Sequence, residues 1–152
     1  LNLAAIYEKQ GRTKDAVKAV EKGGKSGKAS TEALERAGAQ QMKAKQYDAA
    51  LKTYRQLATA DPKRGLAYAN MGYIHSVKGQ TDKAIENFKL AVRYDKEDEG
   101  AWLGLGEAYE KKMMYKEALE AYKAAYQINP ESRAAERVPQ LRIKMLEDKH
   151  KD

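Results

Sequence analysis

The chain has 152 residues, of which 42% are hydrophobic, and it carries a formal net charge of +7. It contains no cysteine, which excludes disulfides, thiolate nucleophiles and cysteine-based zinc sites. No apolar run approaches the roughly 20 residues that a membrane helix needs, so we expect no membrane insertion and a soluble protein, cytoplasmic by default. Because the chain begins with Leu1 rather than Met, we expect it to be an excised piece of a longer protein.

The positive charge lies in the first half of the chain. Residues 1–64 carry 14 Lys/Arg against 7 Asp/Glu, whereas residues 65–152 carry 15 against 15. A solvated, lysine-rich helix surface explains this excess most simply. The alternative is an acidic partner that the field of the first half attracts.

Hydrophobic periodicity predicts helices throughout the chain. Apolar residues recur in steps of three and four, as at Trp102, Leu105 and Tyr109, and such steps draw one stripe along a helix. The predicted helices are 1–10, 13–23, 31–43, 47–60, 65–77, 81–94, 99–111, 115–128 and 131–148. The predicted turns inside helix pairs are Gln10-Gly11-Arg12, Lys45-Gln46, Lys78-Gly79-Gln80 and Lys112-Met113-Met114.

The stretch from Lys22 to Ser30 breaks the pattern with three glycines, and it is predicted to be a loop. Its glycines and lysines resemble a phosphate-binding loop only superficially. Lys22 stands where the first glycine belongs, Ala29 stands where a Ser or Thr belongs, and no strand precedes the run. Nucleotide binding is therefore disfavoured.

The last helix, residues 131–148, has two distinct faces. Pro139 lies inside it, so a kink or a later start is expected. Ala134, Val138, Leu141 and Met145 form the apolar face, and Arg133, Arg137, Lys144 and Glu147 form the polar face. We interpret the helix as a solvating cap; a helix exchanged with a neighbouring molecule is the alternative.

The chain repeats with a period of 34 residues. Small residues fall in register at Ala16, Ala50, Ala84 and Ala118, and large ones at Val20, Tyr54, Phe88 and Tyr122. A second small position is occupied by Ala4, Gly38, Gly72 and Gly106. A glycine would normally weaken a helix by about 1 kcal/mol against alanine. Its recurrence therefore predicts that the paired helix crosses closely at this point.

This pattern resembles the tetratricopeptide repeat family, whose unit has 34 residues. The best copy is formed by Trp102, Leu105, Gly106, Tyr109, Ala118, Tyr122, Ala125 and Pro130. The resemblance implies an all-α fold, a right-handed superhelical solenoid of antiparallel helix pairs. It implies a single domain over 1–152, with a partial repeat 1–30, repeats 31–64, 65–98 and 99–132, and a capping helix 133–148.

In the family, the first helix of each pair lines a concave groove that binds a partner. Applied by register, the groove would be lined by Asn2, Ala5, Lys9, Arg36, Ala39, Lys43, Leu66, Asn70, Tyr73, Leu103 and Glu107. Its composition suits another protein, as a peptide or helix with apolar anchors and some acidic residues. The resemblance therefore implies a protein–protein interaction scaffold.

Two alternatives stay open. One is a self-assembly module that stacks through the terminal helices. The other is nucleic-acid binding through the basic half, which is disfavoured because Tyr7 and Tyr54 occupy packing positions of the repeat.

One subset of the family grips the terminal carboxylate of chaperone tails with lysine, asparagine and arginine. Asn70 matches the middle asparagine of that clamp. Glu35 and Ala39 stand where lysine and asparagine belong, and Gly100 and Gly104 stand where lysine and arginine belong. We therefore reject this kind of site.

No catalytic pattern stands out. The chain has two histidines, and His75 occupies a packing position that holds tyrosine in sister repeats, whereas His150 lies in a charged tail. Paired carboxylates such as Glu107 and Glu110 are interpreted as ordinary surface residues. We expect no enzyme activity, no metal and no cofactor.

Overall fold

The structure, a computed structural model, describes residues 6–7, 9–22 and 27–149. Within these residues the chain is helical and contains no strand. Ile6, Tyr7 and Lys9 are helical and precede the first complete helix. The helices that follow are α1 (Thr13–Lys22), α2 (Gly27–Lys43), α3 (Tyr47–Ala60), α4 (Gly65–Val77), α5 (Thr81–Tyr94), α6 (Glu99–Lys111), α7 (Tyr115–Ile128) and α8 (Ala134–Lys149).

The predicted bounds are confirmed from α3 to α7 without a shift. The loop predicted from Lys22 to Ser30 is wrong in its second half, because α2 begins at Gly27. Lys28 and Ala29 are good helix formers, and they extend α2 despite the neighbouring glycines. Residues 23–26 lie outside the described part. The all-α fold class is confirmed, because the described residues form helices and contain no strand.

The last helix starts later than residue 131, as Pro139 suggested. The backbone N–H of Ala134 donates to Ser132 Oγ at 3.3 Å, and α8 begins at this residue. Pro139 lies inside the helix, where it removes one backbone donor. Ala134 and Leu141 are buried, in agreement with the predicted apolar face.

Each predicted turn contains one residue with left-handed backbone. Gly11 has φ 68°, Lys45 has 55°, Gly79 has 71° and Met113 has 58°. In each case the next N–H reaches back to a carbonyl five residues earlier, as from Met114 to Tyr109 at 2.9 Å. This is the bond that closes a Schellman motif, so the left-handed residue ends the first helix of each pair.

The chain divides into two compact units, Leu1–Met71 and Gly72–Asp152. In the first unit, α2 packs against α1 and α3; in the second, α6 packs against α5 and α7, and α8 packs against α7. The single domain and the repeat boundaries given above remain predictions. In the part of the chain that the structure describes, no helix is both long and apolar enough to cross a bilayer.

The recurring glycines mark close approaches between helices. A Cβ built on Gly38 would lie 2.6 Å from Cζ of Tyr54, and one on Gly106 would lie 2.8 Å from Cε1 of Tyr122. Both rings are buried, so they have little room to withdraw. The expectation of close crossing at these glycines is confirmed.

Candidate partner-binding surface

Helix α4 carries an exposed apolar stripe, here called the α4 stripe: Leu66, Asn70, Tyr73 and Val77. These residues follow one another in steps of four, three and four, so they share one face of the helix. Leu66 is 41% exposed, Tyr73 50% and Val77 48%, whereas Asn70 is half-buried. Exposed faces of helices are normally polar, so a row of three large apolar side chains is unusual on a helix face that meets water.

The opposite face of α4 explains how this stripe is held. Ala67 and Ile74 are fully buried, Met71 is 6% exposed and His75 is 4% exposed. Nδ1 of His75 lies 2.6 Å from Oε1 of Gln80, so the imidazole is satisfied within the fold. The packing position predicted for His75 agrees with this burial.

The side-chain amide of Asn70 already makes one bond. Its Nδ2 donates to the carbonyl of Leu66 at 2.9 Å, within the same helix. This bond orients the amide and engages one of the two hydrogens of Nδ2. The second N–H and Oδ1 can both pair with a partner's backbone.

Basic residues lie on exposed faces of the first unit. Lys9, Arg36, Ala39 and Lys43 are all exposed, and the last three share a face of α2 through steps of three and four. The carboxylate of Glu35 forms an ion pair with Arg64. The hydrogen bond and charge of Glu35 raise the pKa of Arg64.

Leu103 and Glu107 differ from the other predicted groove residues, because α8 lies against them. Leu103 is only 9% exposed and belongs to a buried cluster with Ala134 and Leu141 of α8. Glu107 is exposed and pairs with Arg133 at 3.1 Å. The chain's own last helix thus covers this part of α6.

A partly buried network around Glu110 joins α8 to α6 and α7. Tyr122 Oη donates to Glu110 Oε2 at 2.7 Å, and Nε of Arg137 donates to the same oxygen at 3.2 Å. Burial raises the pKa of the Glu110 carboxyl, but the hydrogen bonds from Arg137 and Tyr122 outweigh it, so this pKa lies below its usual 4.5. Burial and the neighbouring carboxylate raise the pKa of the Tyr122 hydroxyl.

The sequence interpretation of Glu107 and Glu110 as ordinary surface residues missed this network. A signal was present: Arg133 and Arg137 lie four residues apart in the predicted helix 131–148, and Glu107 and Glu110 lie three apart in the predicted helix 99–111. Such spacings give one helix a positively charged edge and the other a negatively charged edge.

Two predicted groove residues cannot be placed. Asn2 and Ala5 lie outside the described residues. Among the residues that are described, no group of three or more His, Cys, Asp or Glu side chains could hold a metal ion.

Comparison with known proteins identifies the family. Models of the tetratricopeptide repeat match residues 32–64, 66–98 and 100–132. The chain belongs to the tetratricopeptide repeat family. This agrees with the antiparallel helix pairs and with the glycine–aromatic contacts at their crossings.

Two curated relatives are similar to part of the chain. The small glutamine-rich tetratricopeptide repeat-containing protein 2 of Mycosarcoma maydis is 32% identical over 102 residues, which are 67% of this chain and 29% of that protein. Superkiller complex protein 3 of Mus musculus is 35% identical over 66 residues, which are 43% of this chain and 4% of that protein. The chain thus spans less than a third of the length of either relative.

Solved structures have the same fold. The Sgt2 TPR domain from Aspergillus fumigatus is 27% identical, with a TM-score of 0.71 over 82% of this chain and 85% of that one. MamA is 21% identical, with a TM-score of 0.75 over 97% of this chain and 88% of that one. The first TPR of Spaghetti (RPAP3), bound to the HSP90 peptide SRMEEVD, is 20% identical, with a TM-score of 0.71 over 76% of this chain and 93% of that one.

Proposed function

We propose that the chain is a non-catalytic protein–protein interaction scaffold. It binds a segment of a partner protein on the exposed face of the first helix of each helix pair. The α4 stripe is the observation that carries this proposal. Three large apolar side chains between 41% and 50% exposed lie along one helix, and water is a poor environment for such a row.

The chemistry of the surface suggests the kind of segment. Leu66 and Tyr73 would pack against apolar anchors of the partner, and Asn70 Oδ1 would accept a hydrogen bond from its backbone. Arg36 and Lys43, which are exposed on α2, favour acidic residues in a partner. The partner would therefore be an extended peptide or a helix that combines apolar anchors with carboxylates.

A relative of the same fold supports this mode of binding. The first TPR of Spaghetti holds a peptide that contains two glutamates and an aspartate. This chain lacks the clamp that grips a terminal carboxylate, because its positions are occupied by Glu35, Ala39, Gly100 and Gly104. We therefore expect an internal segment of the partner rather than its C-terminus.

Capture experiments with matched variants test the proposal. The immobilised native domain and the Asn70→Ala/Tyr73→Ala variant are incubated with lysate of the source cell, and retained proteins are identified by mass spectrometry. We expect a partner that the native domain retains and the variant loses. A Tyr126→Ala/Gln127→Ala variant, altered at two exposed positions of α7, is the control and should retain it.

The affinity of the captured partner for the two variants then decides the outcome. A partner held equally by the native domain and by Asn70→Ala/Tyr73→Ala would show that the α4 stripe is not the binding surface. Circular dichroism of both variants excludes loss of fold as the cause, since Tyr73 is half exposed and its removal leaves the core intact.

Self-association remains a second candidate, because α8 carries exposed apolar side chains. Ile143 is 58% exposed and Leu146 is 57% exposed. If these residues join copies of the chain, the mass in sedimentation equilibrium will rise with concentration, and Ile143→Ser/Leu146→Ser will return it to that of a monomer. A mass independent of concentration in the native chain would rule the candidate out.

A further inference from the structure

A second surface of α6 lines a pocket that the proposed function does not use. Trp102, Leu105 and Tyr109 form its floor. With 100° per residue, these three positions lie on average roughly 130° around the helix from Leu103, Glu107 and Glu110, which face α8. The pocket therefore belongs to a different face of α6 from the predicted groove residues.

The pocket is large and its floor is apolar. Its volume is about 620 Å³, within the range of roughly 300–1,000 Å³ in which proteins bind ligands. Val92 of α5 and Ala121 of α7 close the sides, and Trp102 and Tyr109 stay half-buried. The indole Nε1 of Trp102 donates to the carbonyl of Lys96 at 2.9 Å, which fixes the ring in place.

The rim of the pocket is positively charged. Lys89, Arg93 and Lys96 stand on one wall and Lys116 on the other, and all four are exposed. Within the described part of the chain, none of the four forms an ion pair. Unpaired cations around an apolar floor favour an acidic ligand with an apolar centre.

Two carboxylates also line the pocket, but they do not balance the rim. Glu120 pairs with Lys123 at 2.8 Å. Glu117 lies near Tyr109, whose hydroxyl pKa is raised by burial and by this carboxylate. Four cations therefore face one carboxylate that has no paired lysine.

The spacing of the cations indicates a polypeptide rather than a small acid. Lys89 and Arg93 lie one turn apart on α5, about 6 Å along the axis, and Lys116 belongs to α7. One small carboxylate between Lys89 and Arg93 would leave Lys116 on α7 without a partner. A chain segment with acidic residues on both sides of a bulky apolar residue would meet all of them while its apolar side chain fills the floor.

We propose that this pocket, lined by α5, α6 and α7, binds an acidic peptide segment of a partner protein through one or two bulky apolar side chains. The site is independent of the α4 stripe. The chain could therefore hold two segments at once, either from one partner or from two.

Trp102, the chain's one tryptophan, reports directly on the floor of the pocket. The probe is an acetylated and amidated octapeptide, Glu-Glu-Asp-Phe-Leu-Asp-Glu-Glu, which has no tryptophan and no terminal carboxylate. We expect a saturating change in tryptophan fluorescence at low ionic strength, weakened by salt because the rim charges are exposed. A second peptide, with both apolar residues replaced by serine, should bind at least tenfold more weakly.

Charge reversal tests the rim. Lys89→Glu/Arg93→Glu should lower the affinity for the probe at least tenfold. The control Lys83→Glu/Arg142→Glu makes the same change in net charge at exposed positions that do not line the pocket, and it should lower the affinity less. The Asn70→Ala/Tyr73→Ala variant should bind the probe as the native chain does, which separates this site from the proposed groove. Circular dichroism verifies that each variant is folded.

Three results would overturn the proposal. The first is no saturating change up to about 1 mM probe. The second is equal binding of a peptide whose acidic residues are all lysine, because the rim would then select nothing. The third is a dimer in sedimentation equilibrium that Lys89→Glu/Arg93→Glu dissociates, because the pocket would then be an interface between copies.

Discussion

Tyr122 of α7 donates a hydrogen bond of 2.7 Å to Oε2 of Glu110 on α6, and Arg137 of α8 donates to the same carboxylate. One half-buried acid thus joins three consecutive helices. The carboxylate is needed in its charged form, because Arg137 is a cation and both partners donate. The attachment of the last helix therefore depends on the protonation state of Glu110.

Glu110→Gln should lower the free energy of unfolding at pH 7 by about 1–2 kcal/mol, since the amide keeps an acceptor for Tyr122 but loses the charge that Arg137 requires. The folded pKa of Glu110 lies below its usual 4.5, so this contribution is complete above the unfolded pKa and is lost as the pH falls through the folded pKa. Urea unfolding of both proteins at pH 7 and at about pH 3 measures it, and the difference should shrink in acid. Glu136→Gln, at an exposed position of α8, should change stability by less than about 0.5 kcal/mol. A loss in Glu110→Gln that is the same at both pH values would contradict this account of the carboxylate.

Gly106→Ala should destabilise the chain by about 1–3 kcal/mol, although alanine is the better helix former. The new methyl would lie 2.8 Å from Cε1 of Tyr122, whose ring is 1% exposed. A double-mutant cycle with Tyr122→Leu measures the coupling, because the smaller side chain should relieve the clash. Equal effects of Gly106→Ala in both backgrounds would mean that the ring is not the obstacle.

The helices from 47 to 128 were predictable because their signals are local. Apolar steps of three and four define each stripe, and Gly79 or Pro62 ends a helix by its own backbone chemistry. The left-handed residues at Lys45 and Met113 also fell in the predicted turns. These two turns were predicted from their position within the repeat, because neither lysine nor methionine is a residue type that favours left-handed backbone.

The errors come from interactions that a local pattern does not contain. Glycines indicated a loop up to Ser30, yet α2 begins at Gly27. Leu103 was assigned to an open groove by register, but α8 buries it, and α8 lies about 30 residues further along the chain. The pocket on the other face of α6 combines residues from three helices, so no single stretch of sequence reveals it.

Met113→Gly should raise the free energy of unfolding by about 1 kcal/mol. Met113 has φ 58°, a conformation that costs a residue with a side chain roughly 1–2 kcal/mol, whereas glycine adopts it freely. Met113 is 73% exposed, so its removal sacrifices little packing. Gly79→Ala, which forces a side chain into the same conformation at φ 71°, should lower stability by a similar amount. Thermal unfolding followed by circular dichroism measures both, and a loss of stability in Met113→Gly would show that its side chain packs in solution.

Leu141→Ala and Ile143→Ala test the packing of α8 with side chains of equal size on the same helix. Leu141 is 2% exposed and belongs to the cluster with Leu103 and Tyr122, so its truncation leaves a cavity and should cost about 2–4 kcal/mol. Ile143 is 58% exposed, and its truncation should cost less than about 0.5 kcal/mol in a monomer. Urea unfolding at two protein concentrations measures both changes. If Ile143→Ala destabilised the chain as much as Leu141→Ala and only at the higher concentration, the exposed face of α8 would be covered by a second copy. Equal small effects at both positions would mean that α8 is not docked on the cluster.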